Sequence, residues 1–261
     1  MSTEDEGRIG GRLLTIPWSE LPWWGVILAI VGLIVGWSVL SSEAYLDAIA
    51  FIAEGVLLTL RVTVVSYVIA LVIGLLFGLM RVSKNPVLYA ISTLYVEVMR
   101  GIPLLVIILY SGLVITPWVR DVTNQAIDLR GVPAAVLGLA VGFGAYLTEI
   151  YRGGIQSIER GQMEAARSLG MSYLQAMRHV ILPQAIRRIL PPLGNEFIAM
   201  LKDSSLIAVI ALPDILQRGR LYISRTFRAF EGFNTVALMY LVLTICLSFI
   251  VRLIERKTTI E

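Results

Sequence analysis

A single cysteine and a single histidine are all that the 261 residues contain. Cys246 lies inside the last apolar run, which excludes an internal disulfide and any cysteine-cluster metal site. With only His179 beside it, zinc or haem ligation and most nucleophilic triads lack their parts, so neither catalytic nor metal-binding residues are expected. Lysine is almost as scarce: Lys84, Lys202 and Lys257 are the only ones, none follows a glycine, and no G-x-x-x-x-G-K-[ST] stretch occurs. The chain therefore cannot cradle a nucleotide by that route. No internal repeat and no low-complexity linker divides it, which favours one main domain. The opening "MSTEDEGRIGGR" is acidic before it is basic, so a cleaved secretory signal is not expected.

What the chain has in abundance is apolar surface. Hydrophobic residues make up 57% of it and the mean hydropathy is +0.78, whereas soluble domains average about 45 to 50% apolar. This is the composition of an integral membrane protein, all-α in fold class. A helix needs roughly 20 mostly apolar residues to cross about 30 Å of hydrocarbon. Residues 23–40, 62–80, 132–151 and 235–251 meet that test, and 87–116 and 184–211 are long enough but carry polar groups, so six spans are expected. With the amino terminus inside, roughly twice as many Lys and Arg fall on inner as on outer pieces, which places both termini in the cytoplasm.

Three regions follow. Residues 1–54 hold a cytoplasmic start, an added span and the amphipathic outer segment "SSEAYLDAIAFIAEG"; residues 55–255 form the membrane bundle with an inner loop at 152–183; residues 256–261 are a cytoplasmic tail. Glycines four apart, at 32 and 36, 74 and 78, and 138 and 142, form grooves for close helix packing. Pro103 lacks an N–H and clashes with the carbonyl of Met99, so "VMRGIPLL" should kink or break its helix beside Arg100 and Gly101. Broken helices at mid-membrane often line pathways.

The residues from 164 to 183, "EAARSLGMSYLQAMRHVILP", are charged and helix-forming, and no bilayer would accept them. Gln162 to Leu169 favours a helix, Gly170 is a left-handed stop, and Ser172 with Gln175 makes a capping box that starts a second helix. Met163, Ala166 and Leu169 recur on one side of the first helix, and Tyr173, Met177 and Val180 on one side of the second. Pro183 is expected to close the second helix before the chain re-enters the membrane. The residues alone allow either a surface helix pair resting on the bundle or a rigid finger for a partner.

Glu164-Ala165-Ala166, Gly170 six positions after the glutamate, and Leu182-Pro183 beyond it resemble the "EAA" signature of permease subunits in binding-protein-dependent ABC importers. One departure is Val180, where that pattern commonly has isoleucine, a mild change on an apolar contact face. The resemblance extends through "TLRVTVVSYVIALVIGLLFGLMR" (59–81), "VEVMRGIPLLV" (96–106), "AYLTEIYRGGIQSIERGQMEAARSLGMS" (145–172) and "VILPQAIRRILPPLGNEFIAMLKDSSL" (180–206), which are similar to the polar amino acid subfamily of the histidine, glutamine and arginine type.

The resemblance implies a five-helix core of type I ABC importer permease plus one extra N-terminal transmembrane helix, in a bacterial cytoplasmic membrane. It implies that the finger docks in a separate ABC ATPase, with Glu164 for a polar contact, Ala165 and Ala166 for close approach, and Gly170, Leu182 and Pro183 setting its shape. The other partners it implies are a second permease, identical or paralogous, an extracytoplasmic substrate-binding protein, an amino acid substrate and the lipid bilayer. No nucleic acid is expected. ATP and Mg would belong to the ATPase, and this chain would hold no cofactor and perform no covalent chemistry.

Ionisable side chains inside hydrocarbon cost at least about 2.5 to 3.5 kcal/mol each, which makes them functional candidates. Glu97 and Arg100 flank the expected break, Glu149 closes the span at 132–151, and Glu196, Lys202, Asp203, Ser204 and Ser205 lie in "EFIAMLKDSSL". An amino acid zwitterion needs a cation for its carboxylate and an acceptor for its ammonium, and Glu97, Arg100, Glu149, Lys202, Asp203, Ser204 and Ser205 are the candidate path residues. Structural roles stay open for several: Glu149 with Arg152 as an i, i+3 pair, Lys202 with Asp203 as mutual partners, Arg100 as a cap on carbonyls freed at the kink. Alternative functions are an ABC permease for another small polar solute, a secondary transporter, which should show repeated halves, or a channel or scaffold that uses the finger only for docking.

Overall fold

The computed structural model describes residues 41–258 and the isolated positions 27, 30, 32, 36 and 37. Contacts divide the chain into a unit of residues 1–46 and a unit of residues 47–261. The span expected at 23–40 lies for the most part outside the described residues. All regular structure among the described residues is helical: α1 (Glu43–Ala53), α2 (Val56–Val82), α3 (Pro86–Gly101), α4 (Leu104–Tyr110), a π turn (Ser111–Ile115), α5 (Thr116–Val122) and α6 (Val132–Gln156). There follow α7 (Arg160–Ser168), α8 (Tyr173–Ala176), a second π turn (Met177–Ile181), α9 (Leu182–Asp203), a 3₁₀ segment (Ser204–Ile210), α10 (Ile215–Thr226) and α11 (Ala229–Thr258).

Helix α6 is the axis of the second unit, and small residues let its neighbours close on it. A Cβ on Gly74 of α2 would stand 2.5 Å from Leu147 Cβ, one on Gly78 2.8 Å from Tyr151 Cβ, and one on Gly142 of α6 2.5 Å from Leu104. Gly138 packs against Ile108 and Ser111 in the same way. The glycine grooves in α2 and α6 are thus filled, while Gly32 and Gly36, in the first unit, face open space. Val62, Ala70, Ile108, Leu139, Phe143, Leu147, Met200 and Ile207 form the core around this axis. Helix α3 is tied in by hydroxyls: Ser92 Oγ donates to the carbonyl of Phe77 at 2.7 Å, and Tyr95 Oη to that of Val141 at 2.7 Å.

Glu43–Val82, Leu104–Val122, Val132–Gln156 and Ala229–Ile254 are long and apolar enough to cross a membrane. Helix α11 exposes Phe230, Phe233, Leu241, Val242, Ile245 and Phe249, as a helix surrounded by acyl chains would. The expected span at 87–116 is two helices, because Ile102 and Pro103 are extended between α3 and α4. The span expected at 184–211 leaves the α-helical path at Ser204 and continues as a 3₁₀ segment. Helix α1 is amphipathic and buries Ala48 and Ile52 against Ile215, Tyr222 and Val236.

Candidate functional site

The finger is built by local rules. Helix α7 ends in a Schellman turn, in which the Gly170 N–H donates to the Arg167 carbonyl at 3.0 Å and the Met171 N–H to the Ala166 carbonyl at 3.2 Å. Gly170 has φ +83°, the left-handed conformation that a Cβ opposes. Ser172 then caps α8 with its side chain on the Gln175 N–H, and Gln175 returns the bond to the Ser172 N–H. The turn expected from the sequence is therefore present, with both of its capping devices.

Pro183 does not close the second helix, contrary to the expectation. Helix continues from Tyr173 to Asp203, and the π turn at Met177–Ile181 is what admits the proline. The Leu182 N–H reaches back five residues to the Met177 carbonyl, which widens the coil one residue before a ring that would otherwise crowd the His179 carbonyl. The other π turn does the same ahead of Pro117, where the Thr116 N–H donates to the Ser111 carbonyl. The finger's second helix and α9 are consequently one rod.

Beneath the finger, Ile158, Ile181, Ala185 and Ile189 form a small core, with Met163, Met177 and Val180 half-buried on it. Arg188 Nη1 donates to the Ser157 carbonyl, pinning the rod to the finger's root. Of the two apolar runs, Met163, Met177 and Val180 pack on this core, whereas Leu169 is 80% exposed and Tyr173 60%, with Leu174 beside them at 76%. Leu169 caps the end of α7 and Tyr173 opens α8, so both stand at the tip of the finger and neither is part of the small core at its base. Glu164, Ala165, Gly170, Leu182 and Pro183 are exposed. Ala166 is buried, so its small size serves closure of the finger on itself. A depression of about 290 Å³ at the tip is lined by Leu169, Gly170, Met171, Gln175 and His179.

The candidate path residues fall into two groups. At the finger end of the bundle, Glu149 Oε2 accepts from Arg152 Nη2 at 2.6 Å and Glu149 Oε1 lies 3.1 Å from Arg81 Nε. Arg81 Nη2 is 3.8 Å from Glu97 Oε1. The expected i, i+3 pair therefore exists, within a larger network. Arg100 caps no carbonyl at the break among the described residues; its guanidinium lies over the Tyr146 ring, 5.4 Å from the centroid.

The second group ends α9. Ser204 Oγ donates to the Leu201 carbonyl at 2.7 Å and Ser205 Oγ to the Lys202 carbonyl at 2.8 Å, so both hydroxyls finish the helix, and Ser204 is fully buried. Lys202 and Asp203 are exposed and have no ion-pair partner among the described residues. Arg81 was legible only as a loop cation in the sequence, because its carboxylates come from other helices. Asp214 was likewise missed: fully buried, it caps α10 through the Gln217 N–H at 2.8 Å and accepts from Tyr240 Oη at 3.2 Å.

Residues 70–260 match the model of the family described as binding-protein-dependent transport system inner membrane component. The chain belongs to this family. Among curated members, it is 39% identical over 213 residues to the probable glutamine ABC transporter permease protein GlnM of Bacillus subtilis (strain 168), covering 81% of this chain and 94% of the relative. To the glutamine transport system permease protein GlnP of Escherichia coli (strain K12) it is 38% identical over 218 residues, covering 84% and 97%. Among solved structures it is similar to a chain of "an amino acid ABC transporter with histidines", with a TM-score of 0.71, 38% identity and coverage of 80% and 94%. It is similar also to a chain of the MetNI methionine ABC transporter in an inward-facing conformation, with a TM-score of 0.68, 26% identity and coverage of 84% and 100%. An all-helical ABC permease fold in a multi-pass inner-membrane component is thereby established for this chain.

Proposed function

We propose that this member of the family is the permease subunit of an ATP-driven amino acid uptake system. The observation that carries the reading is the finger: a stiff helical hairpin whose base is packed and pinned while Leu169, Tyr173, Leu174 and Glu164 face away from the chain's own helices. Exposed large apolar side chains clustered around a rigid turn mark an interaction surface, and α6 and α9 lead straight from it into the bundle. The partner is an ABC ATPase that binds ATP and Mg, and Glu164, Ala165 and Gly170 lie at that contact, with Ala166, Leu182 and Pro183 holding its shape.

In this reading both termini and the finger are cytoplasmic, a second permease, identical or paralogous, completes the path, and an extracytoplasmic binding protein delivers the substrate. An amino acid is favoured by the glutamine and amino acid transport named for relatives at 38 to 39% identity. Lys202, Asp203 and Arg100 present charge of both signs to the path, and Glu97 and Glu149 stand at its finger end. The chain itself performs no covalent chemistry.

Purified protein in liposomes tests the reading. Uptake of labelled amino acid that requires ATPase, ATP and binding protein together supports it. Uptake by this chain alone, driven by an ion gradient, supports a secondary transporter, and passive flux supports a channel.

A further inference from the structure

Five side chains form a polar chain from the root of the finger to the broken helix. Arg152 Nη1 donates to Gln156 Oε1 at 2.6 Å, and its Nε and Nη2 donate to Glu149 Oε2 at 3.0 and 2.6 Å. Glu149 Oε1 meets Arg81 Nε at 3.1 Å, and Arg81 Nη2 approaches Glu97 Oε1 at 3.8 Å. Gln156, Arg152 and Glu149 all belong to the last turns of α6, two to nine residues before Ile158 of the finger's core. Glu97 is on the last turn of α3, just ahead of the break at Ile102 and Pro103. Arg81, at the end of α2, is the one member that joins the two.

We propose that Arg81 is a positioning residue for transport, passing movement of the finger's root to the broken end of α3. This rests on the importer reading. Three observations support it. Helices α2 and α6 are already locked by Gly74 against Leu147 and Gly78 against Tyr151, so Arg81 is not needed to hold them together. The last turn of α3 lies beyond the hydroxyl ties at Ser92 and Tyr95, and among the described residues Glu97–Arg81 is its only ion pair. That pair is unequal: the Arg81 side chain is 12% exposed, Glu97 is 71% exposed, and Arg81 Nη1 is buried with no hydrogen-bond partner among the described residues.

The Arg81 guanidinium makes ion-pair contacts but no hydrogen bond among the described residues, and its Nη1 and the facing Glu149 Oε1 are both buried and unsatisfied. With the Glu97 carboxylate at the limit of pairing distance, this favours a second arrangement in which Glu97 closes on Arg81. Movement of α6 carries Glu149, and with it Arg81. The end of α3 can follow because the extended residues at 102 and 103 uncouple it from α4. Arginine suits the position because its separate nitrogens serve two carboxylates at once, which a lysine ammonium at the end of a flexible stem does less well.

The test uses the full complex in liposomes, with substrate taken up per ATP hydrolysed as readout. Wild-type complex must first show ATP-dependent uptake; if it does not, the importer reading fails by itself. Given that, Arg81→Gln and Glu97→Gln are each expected to lower the ratio by about five-fold or more. The double variant should be no worse than Arg81→Gln alone, because that substitution already removes the link to Glu97. An unchanged ratio in Arg81→Gln, or independent multiplication of the two effects, would overturn the proposal. Should Arg81→Gln fail to fold, the exposed Glu97→Gln decides alone, and an unchanged ratio there overturns it equally.

Discussion

Gly74 of α2 and Leu147 of α6 are so close that a Cβ on the glycine would stand 2.5 Å from the leucine Cβ, with the Leu147 backbone carbonyl carbon 3.1 Å away. The contact lies in the middle of the bundle, where neither helix can retreat without disturbing Gly78 against Tyr151 one turn on. Gly74→Ala should therefore lower stability by about 1 to 3 kcal/mol, the usual cost of overpacking a filled core. Thermal unfolding in detergent, followed by the loss of helical circular dichroism, measures it. An unchanged melting temperature would mean that the two helices are not packed in this register.

Gly170 separates the finger's shape from the bundle's integrity. Its φ of +83° and its N–H bond to Arg167 are both incompatible with proline. Gly170→Pro should leave the bundle folded and inserted but abolish coupling between ATP hydrolysis and uptake. Gly170→Asn, whose side chain tolerates the left-handed region, should retain most of it. Equal coupling in the two variants would show that the turn's geometry is immaterial.

Asp214 gives a pH dependence with a definite sign. Burial pushes its carboxyl above the ordinary aspartate range, opposed by the N–H groups of Gln217 and Leu216, the Tyr240 hydroxyl and the nearby Arg220. The folded protein thus holds this proton more tightly than the unfolded chain does. Its contribution is complete below the ordinary aspartate range and declines as pH rises through the raised folded value. Asp214→Asn keeps a residue that caps a helix well and should flatten that decline. Melting temperatures of both proteins from acid to neutral pH provide the check, and parallel curves would contradict the assignment.

The finger is readable from the sequence because its determinants are local: a glycine at the left-handed position, and a serine and a glutamine three apart. The break at Pro103 was readable for the same reason, since a missing N–H and a steric clash act within four residues. Pro183 misled for a reason that is also local but cooperative, since the π turn before it depends on how five preceding residues share their carbonyls. Leu169 and Tyr173 share the apolar spacing of their helices yet stay exposed, because each stands at the helix end beside the turn and neither is part of the core at the finger's base. The ion pairs of Arg81 and the bond from Tyr240 to Asp214 are not legible, as the partners at 97, 149 and 240 are brought to them only by packing, whereas the cap of Asp214 on Gln217 is local.

On the proposed reading, the finger transmits work from an ATPase to the bundle. The most direct measurement places a single cysteine at Leu174 in a Cys246→Ser background and follows its cross-linking to the purified ATPase subunit. An efficient cross-link is expected, with a yield that changes between nucleotide-free and ATP-bound complex while the bundle remains folded. A cysteine at 174 that never reacts with the ATPase in a complex that nonetheless takes up substrate would contradict it.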